Sequence, residues 1–130
     1  MKKLFNIIIE MSKKILVIDD NEAMSMLMDY ILRFEGYDVT CKLTGKEGLD
    51  SMRILLPDLI ILDWLMPEYS GKAVLEEKHN DITICEIPTI ILTGMAETIT
   101  LDSSYPCGHI QIIEKPFDHD SFISLIKESV

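Results

Sequence analysis

Five residues with chemically useful side chains stand where apolar runs of the sequence end. They are Asp19, Asp20, Asp63, Thr93 and Lys115. Each run has the length and composition of a strand that is buried on both faces of a sheet. An aspartate in such a place is also an ordinary helix cap or turn residue. Because four runs end in this way, and the carboxyl ends of parallel strands meet at one edge, we expect a shared site.

The acids predict a cation site. Asp19, Asp20 and Asp63 would repel one another at that edge unless a positive charge stood between them. Mg²⁺ takes a few carboxylates and completes its octahedron with water and phosphate oxygens. Mn²⁺ accepts the same kind of oxygen ligand. The sequence therefore predicts binding of Mg²⁺ or Mn²⁺.

The same residues indicate phosphoryl transfer. A carboxylate such as that of Asp63 can attack phosphorus and form an aspartyl phosphate. Charge on the transferring oxygens must then be neutralised, by the cation, by the Thr93 hydroxyl and by the Lys115 ammonium. Gly94 follows Thr93 and leaves room for the phosphoryl group.

Composition limits the class of protein. The chain has 130 residues, which fits one domain. Its net charge of −10 argues against direct binding of nucleic acid, which needs clustered Lys and Arg. Three widely spaced cysteines suggest neither a disulfide framework nor a zinc site, so a cytoplasmic location is expected. No apolar run is long enough to cross a membrane.

The first residues form a separate segment in the prediction. Lys2 and Lys3 precede an apolar patch, as in a signal peptide, but Asn6 and Glu10 interrupt it and no cleavage site follows. Met11 resembles a second beginning of the chain. We expect an N-terminal extension over residues 1–11 and a single domain over residues 12–130.

Strand and helix patterns alternate along residues 12–130. Five such repeats with short connections predict an α/β fold in which helices cover both faces of a five-stranded parallel sheet. Right-handed crossovers make this a doubly wound, flavodoxin-like sheet of order 2-1-3-4-5. The segment from residue 96 to 108 contains β-branched residues and Pro106, so we expect a short or irregular helix there.

The first helix is predicted to begin at Asn21-Glu22 and end at Gly36. Its apolar residues at three- and four-residue spacing predict one buried face. That set is Ala23, Leu27, Tyr30, Ile31 and Phe34. The helix also carries three methionines, Met24, Met26 and Met28, which we interpret as flexible core residues, with a partner-binding surface as the alternative.

These motifs resemble those of receiver domains of two-component response regulators. The resemblance runs from Lys13 to Val130 and preserves the order of four motifs. They are Ile-Leu-Val-Ile-Asp-Asp, Asp-Trp-Leu-Met-Pro-Glu-Tyr-Ser-Gly, Leu-Thr-Gly and Glu-Lys-Pro-Phe. The resemblance implies a signalling domain that a histidine kinase or phosphotransfer protein phosphorylates in a Mg²⁺-dependent reaction. Its only catalysis would be its own phosphoryl transfer and autodephosphorylation.

The resemblance also implies a role for each residue. Asp63 would be the phosphoacceptor, Thr93 the switch hydroxyl and Lys115 the phosphate contact. Direct metal ligands would be Asp20, Asp63 and the backbone carbonyl of Leu65, with Asp19 acting through water. The Lys115–Pro116 bond is expected to be cis, as it usually is in the family.

The sequence departs from the family at Ile112, three residues before Lys115, where an aromatic residue that turns inward on activation is usual. The surface that signals to the output partner in the family therefore need not serve that role in this chain. We expect the output partner to be a downstream protein or an effector domain outside this chain, and a homodimer is possible. Leu65 and Met95 flank the route of attacking water in the family, which predicts slow loss of phosphate.

Three other functions remain alternatives. An aspartyl-nucleophile phosphatase lacks support because Leu65 stands where such enzymes need a second acid. A flavin or nucleotide carrier would need a glycine-rich loop in place of Asp19-Asp20-Asn21. The third alternative is a receiver-like scaffold that is never phosphorylated.

Overall fold

The structure is a computed structural model that describes residues 12–94, 99 and 109–130. The elements of this part, in chain order, are β1 (Lys14–Ile18), α1 (Glu22–Phe34), β2 (Asp38–Lys42), α2 (Gly45–Leu55), β3 (Leu59–Asp63), α3 (Gly71–His79), β4 (Thr89–Thr93), β5 (Ile110–Glu114) and α4 (His119–Ser129). The predicted extension over residues 1–11 lies outside the described residues. So does the predicted helix between β4 and β5, except for Ile99.

The strands form one parallel sheet in the order β2-β1-β3-β4-β5. This confirms the flavodoxin-like, doubly wound sheet of order 2-1-3-4-5. In the register, Ile18 pairs with Leu62, Asp63 with Leu92 and Thr93 with Glu114. The carboxyl ends of β1, β3, β4 and β5 therefore lie close together along one edge.

Apolar side chains alternate between the two faces of the sheet. On one face Val17, Ile61 and Leu92 pack with α1 and α4. On the other face Ile18 and Leu62 pack with α2 and α3. Because both faces are covered, β3 and β4 are buried along their whole length, which explains their uninterrupted apolar runs.

Side-chain caps begin the four described helices near the carboxyl edge of the sheet. Each cap accepts a hydrogen bond, 3.0–3.2 Å long, from the backbone N–H three residues further on. The caps are Asn21, Thr44, Ser70 and Asp118.

The buried face of α1 differs from the prediction. Ser25, Met28 and Leu32 are buried. Of the predicted set, only Ile31 packs against the core, while Tyr30 and Phe34 are 71% and 80% exposed. The helix carries apolar residues on two stripes, so periodicity alone does not select the stripe that faces the sheet. Packing on the sheet distinguishes the two stripes: Met28 and Leu32 lie in the core with Val17 and Ile61.

Candidate functional site

An acidic cluster lies at the carboxyl ends of β1 and β3. Asp19, Asp20 and Asp63 each place a carboxylate oxygen within 4.8 Å of the others. Asp19 is 3% exposed and Asp63 is 8% exposed, whereas Asp20 is open to solvent. The structure therefore brings together the three acids that the sequence places at strand ends.

Asp19 is fixed by the turn that leads into α1. Its Oδ1 accepts a hydrogen bond of 2.9 Å from the backbone N–H of Asn21. Its backbone carbonyl accepts one of 3.2 Å from the Ser25 hydroxyl. Its Oδ2 is buried and has no hydrogen-bond partner among the described residues. A buried, unsatisfied carboxylate oxygen is costly unless a cation or a cation-bound water contacts it, so the cluster fits a hard metal ion.

Asp63 has a raised pKa because it is buried among these charges. Burial has the largest effect, and the negative charge of Asp19 adds to it, so that its pKa rises to about 6. The Lys115 ammonium, 3.4 Å from Oδ1, lowers the pKa and opposes these two effects. One loose ion pair does not neutralise three carboxylates, and the remaining negative charge favours a second cation.

Thr93 and Lys115 complete this edge from the neighbouring strands. Thr93 ends β4 and is 2% exposed. Its backbone carbonyl accepts a 2.7 Å hydrogen bond from the N–H of Lys115, which follows β5. The Lys115–Pro116 bond is cis, as predicted. The hydroxyl-bearing residue and the amine thus lie on adjacent strand ends beside Asp63.

The loop after β3 turns back over the strand end. The N–H of Gly71 donates to the carbonyl of Trp64 at 2.9 Å, and Met66 is buried in the core. Leu65, which stands between Trp64 and Met66 in the sequence, is 71% exposed. Trp64 is partly buried and packs against the cluster of Leu75, Ile91 and Ile99. Met95 lies outside the described residues.

Close contacts that the sequence analysis missed hold this loop. A Cβ atom at Gly45 would lie 2.5 Å from Cδ1 of Tyr69, and one at Gly71 would lie 2.7 Å from the carbonyl oxygen of Asp63. Ser25, which holds Asp19, was missed as well. Gly45 and Gly71 are the first residues of α2 and α3, although glycine has poor helix propensity. This unusual placement is the one sequence signal that another part of the chain approaches the backbone there.

The position that departs from the family pattern lies on the edge strand. Ile112 is partly buried on β5 and packs against the cluster that contains Leu75, Ile91 and Ile99. Trp64 packs against the same cluster. The residue at the usual aromatic position therefore belongs to an aliphatic cluster that reaches the residue next to Asp63.

Fold and site define an α/β protein with an aspartate-centred acidic site at the carboxyl edge of a parallel sheet. A family profile described as "Response regulator receiver domain" matches residues 15–127. The chain therefore belongs to the receiver-domain family of two-component response regulators, whose members act in signalling.

Two relatives of this chain are transcriptional regulators. The phosphate regulon transcriptional regulatory protein PhoB of Rhizobium meliloti is 32% identical over 117 residues, which are 90% of this chain and 52% of that protein. The transcriptional regulatory protein CrdR of Helicobacter pylori is 30% identical over 117 residues, which are 90% of this chain and 54% of that protein. The chain thus spans about half the length of these relatives.

Solved structures share the fold. The receiver domain of a signal transduction histidine kinase from Syntrophus aciditrophicus superposes with a TM-score of 0.75 at 29% identity, covering 90% of this chain and 89% of that one. The receiver domain of the sensor histidine kinase PA1611 from Pseudomonas aeruginosa gives 0.79 at 23% identity, covering 91% and 97%. The latter was solved with a magnesium ion coordinated in its active site cleft.

None of the described helices is both long and apolar enough to cross a membrane.

Proposed function

We propose that a histidine kinase or a phosphotransfer protein phosphorylates this domain on Asp63, and that phosphorylation switches the binding of a partner. One observation carries this proposal. The Asp63 carboxylate lies at the carboxyl edge of the sheet, with an oxygen within 4.8 Å of carboxylate oxygens of Asp19 and Asp20 and 3.4 Å from the Lys115 ammonium. The carboxylate that would attack phosphorus, the acids that would hold a cation and the Lys115 ammonium therefore lie next to one another.

We assign the metal site to Asp20, Asp63 and the backbone carbonyl of Leu65, with Asp19 acting through water. Mg²⁺ fits best, and Mn²⁺ is an acceptable substitute. The buried Oδ2 of Asp19, which has no hydrogen-bond donor in the described part of the chain, supports this assignment, as does the magnesium ion in the related PA1611 domain. When bound, the ion would neutralise negative charge on the cluster and on the phosphoryl oxygens.

Each side chain has one task in the transfer. The Asp63 carboxylate attacks phosphorus while the bond from phosphorus to the imidazole nitrogen of the donor's phosphohistidine breaks. The imidazole leaves with the electron pair. The Lys115 ammonium contacts one phosphoryl oxygen and the Thr93 hydroxyl contacts another. At neutral pH a carboxyl with a pKa of about 6 is mostly ionised, so Asp63 can act as a nucleophile.

The phosphorylated state then acts through contacts rather than through further chemistry. Catalysis by the domain extends only to its own phosphorylation and autodephosphorylation. The output is a downstream protein or an effector domain outside this chain. One relative, RpaA of Synechocystis, is a DNA-binding transcriptional regulator of which this chain matches 47%. Trp64 and Ile112, which lies on the edge strand β5, pack against the same aliphatic cluster. This cluster is our candidate for the route from the site to the output surface.

The experiment is phosphorylation by acetyl phosphate with and without Mg²⁺, followed by intact mass. The wild type should gain one phosphoryl group only with the metal, and Asp63→Asn should gain none. An acid-stable, ester-like label on Asp63→Asn would contradict the site. Continuous release of phosphate from a phosphate ester would favour the phosphatase alternative, and failure of the wild type to label would favour the scaffold.

Metal binding has its own test. Trp64 adjoins Asp63, so titration with Mg²⁺ should change its fluorescence. Asp20→Asn removes a proposed ligand and should raise the Kd for Mg²⁺ at least tenfold. Asp58→Asn, which removes an acid at the opposite end of β3, is the matched control and should leave the Kd unchanged. Equal Mg²⁺ affinities of the wild type and Asp20→Asn would remove Asp20 from the site.

A further inference from the structure

Asp19 is held at every polar atom but one. Its backbone N–H donates to the carbonyl of Lys42 at 3.1 Å, and its Oδ1 accepts from the N–H of Asn21 at 2.9 Å. Its backbone carbonyl accepts from the Ser25 hydroxyl at 3.2 Å. The remaining atom is Oδ2, which is buried and has no partner among the described residues. The carboxylate is therefore fixed in an orientation that leaves Oδ2 for a cation-bound water.

Ser25 supplies the side-chain contact of this set. In the described part of the chain, the other contacts that hold Asp19 come from backbone groups of Lys42 and Asn21. Ser25 is 4% exposed, and a hydroxyl buried in this way needs an acceptor. Its acceptor is the carbonyl of the peptide that joins Asp19 to Asp20. Because a peptide is planar, this hydrogen bond fixes the direction of the peptide that carries both acids.

The acceptor is unusual for a serine inside a helix. Such a hydroxyl commonly donates to the carbonyl four residues before it in the same helix. Ser129 in α4 does so, to the carbonyl of Leu125 at 2.7 Å. Ser25 instead donates to the carbonyl of Asp19, which lies before α1 begins. The Ser25 hydroxyl therefore stabilises the turn that carries the acids and not the helix in which it lies.

The backbone of Ser25 is itself fixed on two sides. Its N–H donates to the carbonyl of Asn21 at 2.9 Å in the first turn of α1. Its carbonyl accepts a hydrogen bond of 3.5 Å from the Cys41 thiol on β2. Burial raises the pKa of that thiol to about 11, so the thiol stays protonated and can donate at neutral pH. Helix α1 and strand β2 thus hold Ser25 in place beside the Asp19 carbonyl.

A rigid acidic site favours one kind of cation. Mg²⁺ requires near-ideal octahedral geometry with short bonds, whereas Ca²⁺ accepts more oxygen ligands in flexible arrangements. Asp19 and Asp63 are buried with like charges, which favour their separation wherever the backbone can move. An acidic site that loosens in this way should lose more affinity for Mg²⁺ than for Ca²⁺.

We propose that Ser25 is a positioning residue that gives the acidic site a preference for Mg²⁺ over Ca²⁺. Its hydroxyl holds the peptide between Asp19 and Asp20, and through this peptide it fixes the position of both acids relative to Asp63. Ser25 acts through these acids and contacts neither the cation nor the phosphoryl group. This role rests on the proposed metal site and adds the residue that sets its cation selectivity.

The test compares two cations in the full chain. Mg²⁺ and Ca²⁺ are titrated separately, and Trp64 fluorescence gives the Kd of each. Ser25→Ala should raise the Kd for Mg²⁺ about tenfold. The Kd for Ca²⁺ should rise less, so that the ratio of the Ca²⁺ Kd to the Mg²⁺ Kd falls roughly threefold or more. An equal ratio in the wild type and Ser25→Ala would overturn the proposal, because a general loss of stability weakens both cations alike.

Two further variants separate the hydroxyl from its packing. Ser25→Thr keeps a hydroxyl on the Cβ atom and should keep the ratio within about twofold of the wild type. Ser129→Ala is the matched control, because it removes a helical hydroxyl that donates to a backbone carbonyl near the end of α4. It should leave the ratio unchanged. The same loss of preference in Ser25→Thr as in Ser25→Ala, or any such loss in Ser129→Ala, would overturn the proposal.

Failure of this role is distinguishable from failure of the metal site. If Asp20→Asn weakens Mg²⁺ binding while Ser25→Ala leaves the ratio unchanged, the metal site stands and the role of Ser25 is wrong. If the wild type binds Ca²⁺ as tightly as Mg²⁺, the role of Ser25 is wrong as well. If the wild type binds neither cation, both the metal site and the role of Ser25 are wrong.

Discussion

The residues of the site are poorly suited to the stability of the metal-free domain. Asp63 is nearly buried beside Asp19, and its pKa of about 6 shows how unfavourable the ionised form is there. The Oδ2 of Asp19 is buried without a donor among the described residues. Such features persist where binding or chemistry needs them, so the cluster is better explained by a cation and a phosphoryl group than by folding.

The destabilisation that the buried, ionised Asp63 causes can be measured, in the presence of EDTA, as a pH dependence of the free energy of unfolding. The folded-state pKa lies above the ordinary value of 3.8, so the folded wild type binds the proton more tightly than the unfolded chain. Its stability should therefore rise as the pH falls from 7 through 6 toward 4. Asp63→Asn removes the charge, and should be more stable than the wild type by about 1–2 kcal/mol at pH 7.

Urea unfolding of both proteins at several pH values checks this prediction. The difference in free energy of unfolding between Asp63→Asn and the wild type should shrink as the pH falls, because protonation removes the negative charge of Asp63 in the wild type. Asp58→Asn serves as a control for the loss of a negative charge outside the cluster. An advantage that grows on acidification would contradict the stated origin of the pKa shift.

Leu65 sets a prediction for the lifetime of the phosphorylated state. Its apolar side chain stands two residues after Asp63 and cannot hold a water molecule for attack on phosphorus. Leu65→Asn supplies a hydrogen-bonding group there, and together with Met95→Glu it should speed the loss of phosphate at least threefold. Decay of the aspartyl phosphate, followed by intact mass, gives the rates. Because Leu65 is 71% exposed, equal rates would mean that it only covers surface.

Elements differ in how far the sequence predicts them. The strands were predictable because the three central strands are covered on both faces and therefore appear as apolar runs, each with a polar residue at the edge. The same pattern predicted the positions of Asp19, Asp63 and Thr93. The buried face of α1 was not predictable, because its two apolar stripes give the same periodicity. The contact of Tyr69 with Gly45 joins distant parts of the chain and leaves no periodic signal.

The end of α2 offers a test of backbone conformation. Leu56 caps the helix in the left-handed conformation, with φ 47° and ψ 62°, and its side chain is 57% exposed. This conformation is unfavourable for a residue with a Cβ atom. Leu56→Gly should therefore raise the free energy of unfolding by about 1 kcal/mol. Leu56→Ala keeps the Cβ atom and should not raise the free energy of unfolding. If urea unfolding shows Leu56→Ala to be stabilised more than Leu56→Gly, this explanation is contradicted.

The loop after β3 offers a second test. A Cβ atom at Gly71 would lie 2.7 Å from the carbonyl oxygen of Asp63 and 2.8 Å from Cα of Trp64, so the backbone must move. Gly71→Ala should lower the free energy of unfolding by about 1–3 kcal/mol. It should also weaken Mg²⁺ binding measured by Trp64 fluorescence, because the loop carries Leu65.

Gly94→Ala is the matched control for stability. A Cβ atom at Gly94 would meet no atom of the described residues within 4 Å, so this substitution should leave the free energy of unfolding within about 0.5 kcal/mol of the wild type. If Gly71→Ala proves as stable as Gly94→Ala, the approach of the loop to Asp63 is looser than the structure indicates.

At the scale of the whole molecule, alternation of strands and helices was enough to predict the sheet order. Parallel strands need crossovers, and right-handed crossovers leave few arrangements for five strands. The sequence could not show which surfaces remain uncovered, since this depends on how each helix is rotated on the sheet. The exposed side of α1 is therefore a finding of the structure.

The strand order has a further consequence for how the molecule is made. β2 pairs with one side of β1 and β3 with the other, after which β4 joins β3 and β5 joins β4. Each new strand adds to an outer edge, and none inserts between two strands already paired. The hydrogen bonds of the sheet can thus form in the order in which the ribosome releases the chain. Asp63 acquires its neighbours Asp19 and Asp20 first, and Lys115 arrives last.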